Sequence, residues 1–152
     1  MEQSKQLALM IAIAADKFKS ILDKSGRPYI LHCMKVLHYL PRDSDDELGQ
    51  IAVGHDLFED TDVTAHHLRE LGFSERVILG IMAMTKHRGQ SYEEYKEAVK
   101  ANPDAVIVKM ADLRHNSDIR RIKDPGIKDF ERTAKYRAFY NELESVAQRR
   151  KA

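Results

Sequence analysis

The spacing of apolar and polar positions divides the chain into a series of short amphipathic segments. Residues 5–22, "KQLALMIAIAADKFKSIL", have the length and apolar spacing of a helix, and glycine and proline in "DKSGRP" (23–28) then break the pattern. "YILHCMKVLHYL" (29–40) resumes it until Pro41. Ser44 and Glu47 have capping-box spacing ahead of a helix that contains "IAVGHDLFED" and ends in the stretch "HDLFEDTDVT". Thr64 is placed to cap "AHHLREL", Ser74 to cap "ERVILGIMAM", and Ser91 with Glu94 to open "YEEYKEAVKA". Asn102 followed by Pro103 is a cap with proline at the first helical position, launching "DAVIVKMADLRHN". "KDFERTAKYRAFYNELESVAQ" supplies a last amphipathic helix. Alternating strand patterns are nearly absent, so the expected fold is all-α, a compact multi-helix arrangement in a single domain over residues 1–152.

Composition narrows the function. A chain of 152 residues, 43% hydrophobic, can build one core and is below the size at which cores split. A formal charge of +1 argues against a dedicated nucleic-acid or membrane surface, which leaves a small molecule as the expected partner. No apolar run is long enough to cross a bilayer, and "MEQSKQ" lacks a basic region followed by a cleavable apolar segment, so a cytoplasmic setting is expected. The single cysteine, Cys33, can form neither an internal disulfide nor a thiolate zinc site. Any metal must therefore use His, Asp or Glu. Cys33, Phe73, Met82 and Met84 read as core filling, His66, His67 and His87 as surface residues, and the terminal "QRRKA" as a solvated, frayed tail.

Three segments carry polar groups into apolar surroundings. Leu48, Ile51, His55 and Phe58 share one helical stripe, which turns His55 inward. A lone inward histidine is more often a hydrogen-bonded core residue than a ligand. Here Asp56 adjoins it, Glu59 and Asp60 follow one turn later, and no Lys or Arg interleaves them, so the carboxylates repel one another unless a cation or a shared proton intervenes. Asp112 sits in the apolar "AVIVKMAD", with Asn116 four residues on, and His32 sits in "YILHCMKVL". A cation held at a bundle centre needs such a convergence, and the set is His32, His55, Asp56 and Asp112. Two imidazoles and two carboxylates suit Mn²⁺, Fe²⁺ or Zn²⁺ better than Ca²⁺ or Mg²⁺.

The ordered stretches "GRPYILH", "HDLFEDTDVT" and "VKMADLRHN" resemble the hydrolase domain of the Rel/SpoT-type alarmone enzymes and the small stand-alone alarmone hydrolases of the HD superfamily, over about residues 5–140. The resemblance implies an HD-domain fold and one Mn²⁺ held by His32, His55, Asp56 and Asp112. It implies that Glu59 and Asp60 position or activate the attacking water. The implied reaction removes the 3′-diphosphate of a guanosine alarmone such as ppGpp as pyrophosphate. The nucleotide contacts carried over by resemblance are Lys24, Ser25, Asn116, Arg132 and Tyr136. Two departures stand out: Asp23 occupies a place where the family commonly has a base-stacking arginine, and "ADLRHN" replaces the "ADRLHN" of the long enzymes. Asp23 keeps adenosine alarmones, other phosphorylated nucleotides such as NADPH-like 2′-phosphates, and a non-catalytic nucleotide-binding module open as alternatives.

Overall fold

The computed structural model describes residues 2–151. Helices α1 (Gln3–Lys17), α2 (Ile30–His38) and α3 (Asp46–Gly54) are followed by the short α4 (Leu57–Asp60) and α5 (Ala65–Glu70). Then come α6 (Glu75–Ala83), α7 (Tyr92–Lys100), α8 (Pro103–Asn116), a 3-10 turn at Ile119–Arg121 and the long α9 (Ile127–Lys151). Among the described residues no strand forms, and the single extended pairing is an isolated bridge between Leu22 and Pro28. No described helix is long and apolar enough to cross a membrane.

Helix α3 is the axis of the fold. Every residue from Leu48 to Gly54 is buried, and α1, α2, α6 and α8 all pack on it. Such close approach depends on small residues: a Cβ on Gly54 would lie 2.8 Å from the Met10 Sδ of α1, and one on Gly80 would lie 2.5 Å from the Ile51 Cδ1 of α3. The side chain that leaves the C-terminal end of α3 is His55, and it is delivered to the centre of the molecule.

Most helix starts match the caps read from the sequence. The side chains of Thr64, Ser74, Ser91 and Asn102 accept the backbone N–H bonds of His67, Val77, Glu94 and Ala105. Other boundaries differ. Helix α1 stops at Lys17 rather than at residue 22, because Tyr29 N–H donates to the Ile21 carbonyl (2.9 Å) and Asp23 N–H to the Arg27 carbonyl (2.8 Å), which folds 21–29 into a loop. Asp45, not Ser44, caps α3: its carboxylate accepts from Leu48 N–H at 2.9 Å, while Ser44 Oγ donates back to the Pro41 carbonyl. The chain also breaks after Gly54, where Asp56 leaves helical geometry (φ −102°, ψ 1°) before α4 begins. Met82, expected in the core, is 37% exposed, because α6 turns Val77, Ile78 and Ile81 inward instead. Of the expected frayed tail, residues 148–151 form the last turn of α9, where Arg150 donates to the Lys100 carbonyl of α7, and Ala152 lies outside the described residues.

Candidate metal centre and nucleotide cavity

Three helices bring the proposed metal ligands together. His32 comes from α2, His55 and Asp56 from the break between α3 and α4, and Asp112 from α8. His32 Nε2 lies 2.9 Å from Asp112 Oδ1, and His55 Nε2 lies 2.9 Å from Asp56 Oδ2 and 3.3 Å from Asp112 Oδ1. His32, His55 and Asp56 each offer a ligand atom within 4.8 Å of the others. His32, His55 and Asp112 are at most 3% exposed.

Each of these groups is gripped on its far side. His55 Nδ1–H donates to the Ala52 carbonyl at 2.7 Å, which turns Nε2 inward. The Tyr29 hydroxyl donates to Asp56, and Asp112 takes Lys109 Nζ on Oδ2 (2.8 Å) and Asn116 Nδ2 on Oδ1 (3.0 Å). His32 Nδ1 meets His115 Nδ1 at 2.7 Å, the rings edge to edge with 5.0 Å between centroids and 19° between planes. Such fixed outer partners are the usual way a protein sets ligand orientation and tautomer. Asn116, named from the sequence as a nucleotide contact, bonds the Asp112 carboxylate and also lines the cavity beside the cluster. Tyr29, Lys109 and His115 were missed, although the last two lie within "VKMADLRHN".

The electrostatics favour positive charge between the carboxylates. Burial would drive the His55 proton off, yet Asp56 and Asp112 raise its pKa well above the ordinary value. Burial would likewise raise Asp112, but Lys109 and His55 hold it well below the usual carboxylate range. His55 Nε2 is within ion-pair distance of two carboxylates but has no hydrogen-bond partner along its N–H direction. Two carboxylates face the buried His55 Nε2, an arrangement that favours positive charge there, whether a proton on the imidazole or a divalent ion coordinated by nitrogen and oxygen. Asp56, Glu59 and Asp60 place carboxylate oxygens within 4.8 Å of one another, and burial together with Asp56 and Glu59 raises Asp60 to about 6. Glu59 also accepts the Lys86 backbone N–H at 2.8 Å.

A cavity of about 500 Å³ opens beside this cluster, and His32, Tyr29 and Asp60 form its metal-side wall. Lys24, Ser25, Asn116, Arg132 and Tyr136 all line it, so the residues read as nucleotide contacts share one cavity. Their states differ from a free surface. Arg132 is paired with Asp129 at 2.5 Å, and Ser25 Oγ donates to Asp23 at 2.6 Å. The Asp23 carboxylate is filled: Oδ1 accepts Ser25 N–H, Ser25 Oγ–H and Arg27 N–H, and Oδ2 takes Arg121 at 2.9 Å. Burial opposes its charge, but these donors hold its pKa at about 2. Arg121, a further cation in the wall, was not singled out from sequence because its partner lies 98 positions away.

Comparison with known proteins follows this geometry. No family model matches the chain. The chain is 27% identical over 124 residues to the guanosine-3′,5′-bis(diphosphate) 3′-pyrophosphohydrolase of Aquifex aeolicus (strain VF5), an alignment over 76% of this chain and 18% of that protein. It thus spans under a fifth of the length of the curated relative. A solved structure, described as a metazoan ortholog of SpoT that hydrolyzes ppGpp and plays a role in starvation responses, superposes with a TM-score of 0.74 at 22% identity, covering 93% of this chain and 84% of that one. The chain is thus similar in sequence to a stretch of that pyrophosphohydrolase and shares its all-helical fold with that solved structure.

Proposed function

We propose that the chain is a metal-dependent phosphohydrolase that removes the 3′-diphosphate of a nucleotide alarmone, ppGpp in the first instance, as pyrophosphate. The observation that carries this reading is the convergence of buried His32, His55 and Asp112 with Asp56, His55 Nε2 lying between two carboxylates, beside a cavity of about 500 Å³ lined by Lys24, Arg121 and Arg132 together with Asp23, Asp60 and Asp118. His32, His55, Asp56 and Asp112 would hold the divalent ion; the donor set suits Mn²⁺, Fe²⁺ or Zn²⁺, and the family resemblance favours Mn²⁺. Such an ion supplies Lewis acidity, making water more acidic and offsetting charge on a phosphoryl group.

The remaining work falls to the chain's own residues. Asp60 sits in the cavity wall with a raised pKa, so its carboxylate can take a proton from water near neutral pH, and Glu59 stands beside it. Water oxygen bonds to the phosphorus attached at the 3′ position, the bond to the ribose 3′ oxygen breaks, and that oxygen leaves with a proton. Lys24, Arg121 and Arg132 supply positive charge for the remaining phosphates, and Tyr136 offers a ring and hydroxyl in the same wall. A soluble nucleotide substrate and a lone buried thiol agree with a cytoplasmic setting.

A second reading concerns the base. Asp23 is committed to Arg121 and to its own loop, which leaves neither a free carboxylate nor a stacking cation at that position. Adenosine alarmones and 2′-phosphorylated dinucleotides are the rival substrates. The test is a panel of ppGpp, its adenosine counterpart and NADPH, each incubated with Mn²⁺-loaded protein while pyrophosphate and orthophosphate are measured. Pyrophosphate from ppGpp, lost in Asp112→Ala, supports the reading. Tight nucleotide binding with no product would make the chain a binding module instead.

A further inference from the structure

The two imidazoles of the proposed centre are anchored in different ways. His55 Nδ1 can only be a donor, because its partner at 2.7 Å is the Ala52 carbonyl, so the proton position is fixed by the backbone and Nε2 is free for a cation. His32 has no such carbonyl. Its Nδ1 lies 2.7 Å from another imidazole nitrogen, Nδ1 of His115, and only one of the two can carry the proton. If His115 donates, the His32 proton sits on Nε2, pointing at Asp112 Oδ1 2.9 Å away and closing the ligand position. If His115 accepts, His32 carries its proton on Nδ1 and presents a bare Nε2.

We propose that His115 is a positioning residue for the metal centre: its Nδ1 accepts the Nδ1–H of His32 and so fixes His32 in the tautomer that can ligate. This rests on the metal reading of His32, His55, Asp56 and Asp112. His115 is well placed for the task because its own position is held from three sides. Its ring lies edge to edge with His32, 19° between planes, and the Tyr39 ring centroid lies 6.1 Å away at a steep angle. Tyr39 is in turn covered by the Arg114 guanidinium at 3.9 Å, and Arg121 donates to the His115 carbonyl at 3.0 Å. The last turn of α8 therefore carries both a ligand, Asp112, and the group that orients another ligand on α2.

Two substitutions separate hydrogen bonding from packing. His115→Phe keeps an aromatic ring beside His32 and removes the acceptor, while His115→Asn removes the ring and returns an oxygen near the Nδ1 position. Titration of the metal-free proteins with Mn²⁺ alone, followed by electron paramagnetic resonance, is expected to show affinity weakened roughly 10–100-fold in His115→Phe and within about threefold of wild type in His115→Asn. Wild-type affinity in His115→Phe, or equal losses in both variants, overturns the proposal while leaving the metal site intact. Wild-type protein that takes up no Mn²⁺ overturns the metal reading and this inference together. A variant-free measurement covers the case of poor folding: in Zn²⁺-loaded wild type, histidine ¹⁵N spectra should show a protonated Nδ1 on His32 and a bare Nδ1 on His115. A proton on His115 Nδ1 contradicts it.

Discussion

Asp60 is under opposing demands. Burial and the nearby Asp56 and Glu59 raise its pKa from 3.8 to about 6, so the folded, metal-free chain binds this proton more tightly than the unfolded one. The stability it contributes is complete below pH 3.8 and is lost as pH rises through about 6, which leaves a penalty at neutral pH. Asp60 is exposed enough for solvent to screen much of that penalty, so Asp60→Asn should stabilise the metal-free protein at pH 7 by only about 1 kcal/mol. The gain should vanish at pH 4. The same change removes the proton acceptor, and kcat is expected to fall about 10²–10⁴-fold. Urea melts at the two pH values and one rate measurement check both halves. Lower stability at pH 7 would mean that the carboxylates do not crowd one another as described.

Helix starts were legible in the sequence wherever the cap acts on its own backbone. Thr64, Ser74, Ser91 and Asn102 each bond a residue three positions on, and that information is local. At α3 the sequence pointed to Ser44, and the residue that caps the helix is tied to a distant one: Asp45 also takes Arg76 of α6 at 2.6 Å, a bond no local pattern announces. Asp45→Ala should therefore cost about 1–2 kcal/mol, whereas Ser44→Ala should change stability by less than about 0.5 kcal/mol, as chemical denaturation would show. The break after Gly54 was illegible for the same reason. It exists because Met10 packs against the glycine and Tyr29 bonds Asp56 from another segment. Gly80 tests how tightly α6 sits on α3. A Cβ there would meet three atoms of the fully buried Ile51 at 2.5, 3.0 and 3.2 Å, so Gly80→Ala should destabilise by about 1–3 kcal/mol. Ile51 is one turn before His55, and part of that strain should reach the centre as weaker Mn²⁺ uptake. An unchanged melting curve would show that the two helices have room to spare.

Across the whole molecule, the sequence disclosed which residues converge but not what holds them. His32, His55 and Asp112 could be picked out because each is a polar intruder in an apolar segment, and Asp56 because it adjoins His55. Lys109, His115 and Arg121 were not singled out, since their partners Asp112, His32 and Asp23 matter only once α8, α2 and the 23–28 loop are folded together. A fold that gathers two imidazoles and two acids from separate helices should respond to its ion as a unit. Mn²⁺ at 100 times its dissociation constant should stabilise the chain by about 2.7 kcal/mol, and a chelator should reverse the gain. A melting temperature indifferent to both would mean that no ion links the helices. The most direct measurement is a crystal structure of the Mn²⁺-soaked protein with anomalous data collected at the manganese edge. The account predicts one strong peak per chain, bounded by Nε2 of His32 and His55 and by the carboxylates of Asp56 and Asp112. A peak elsewhere, or none at that position, would contradict it.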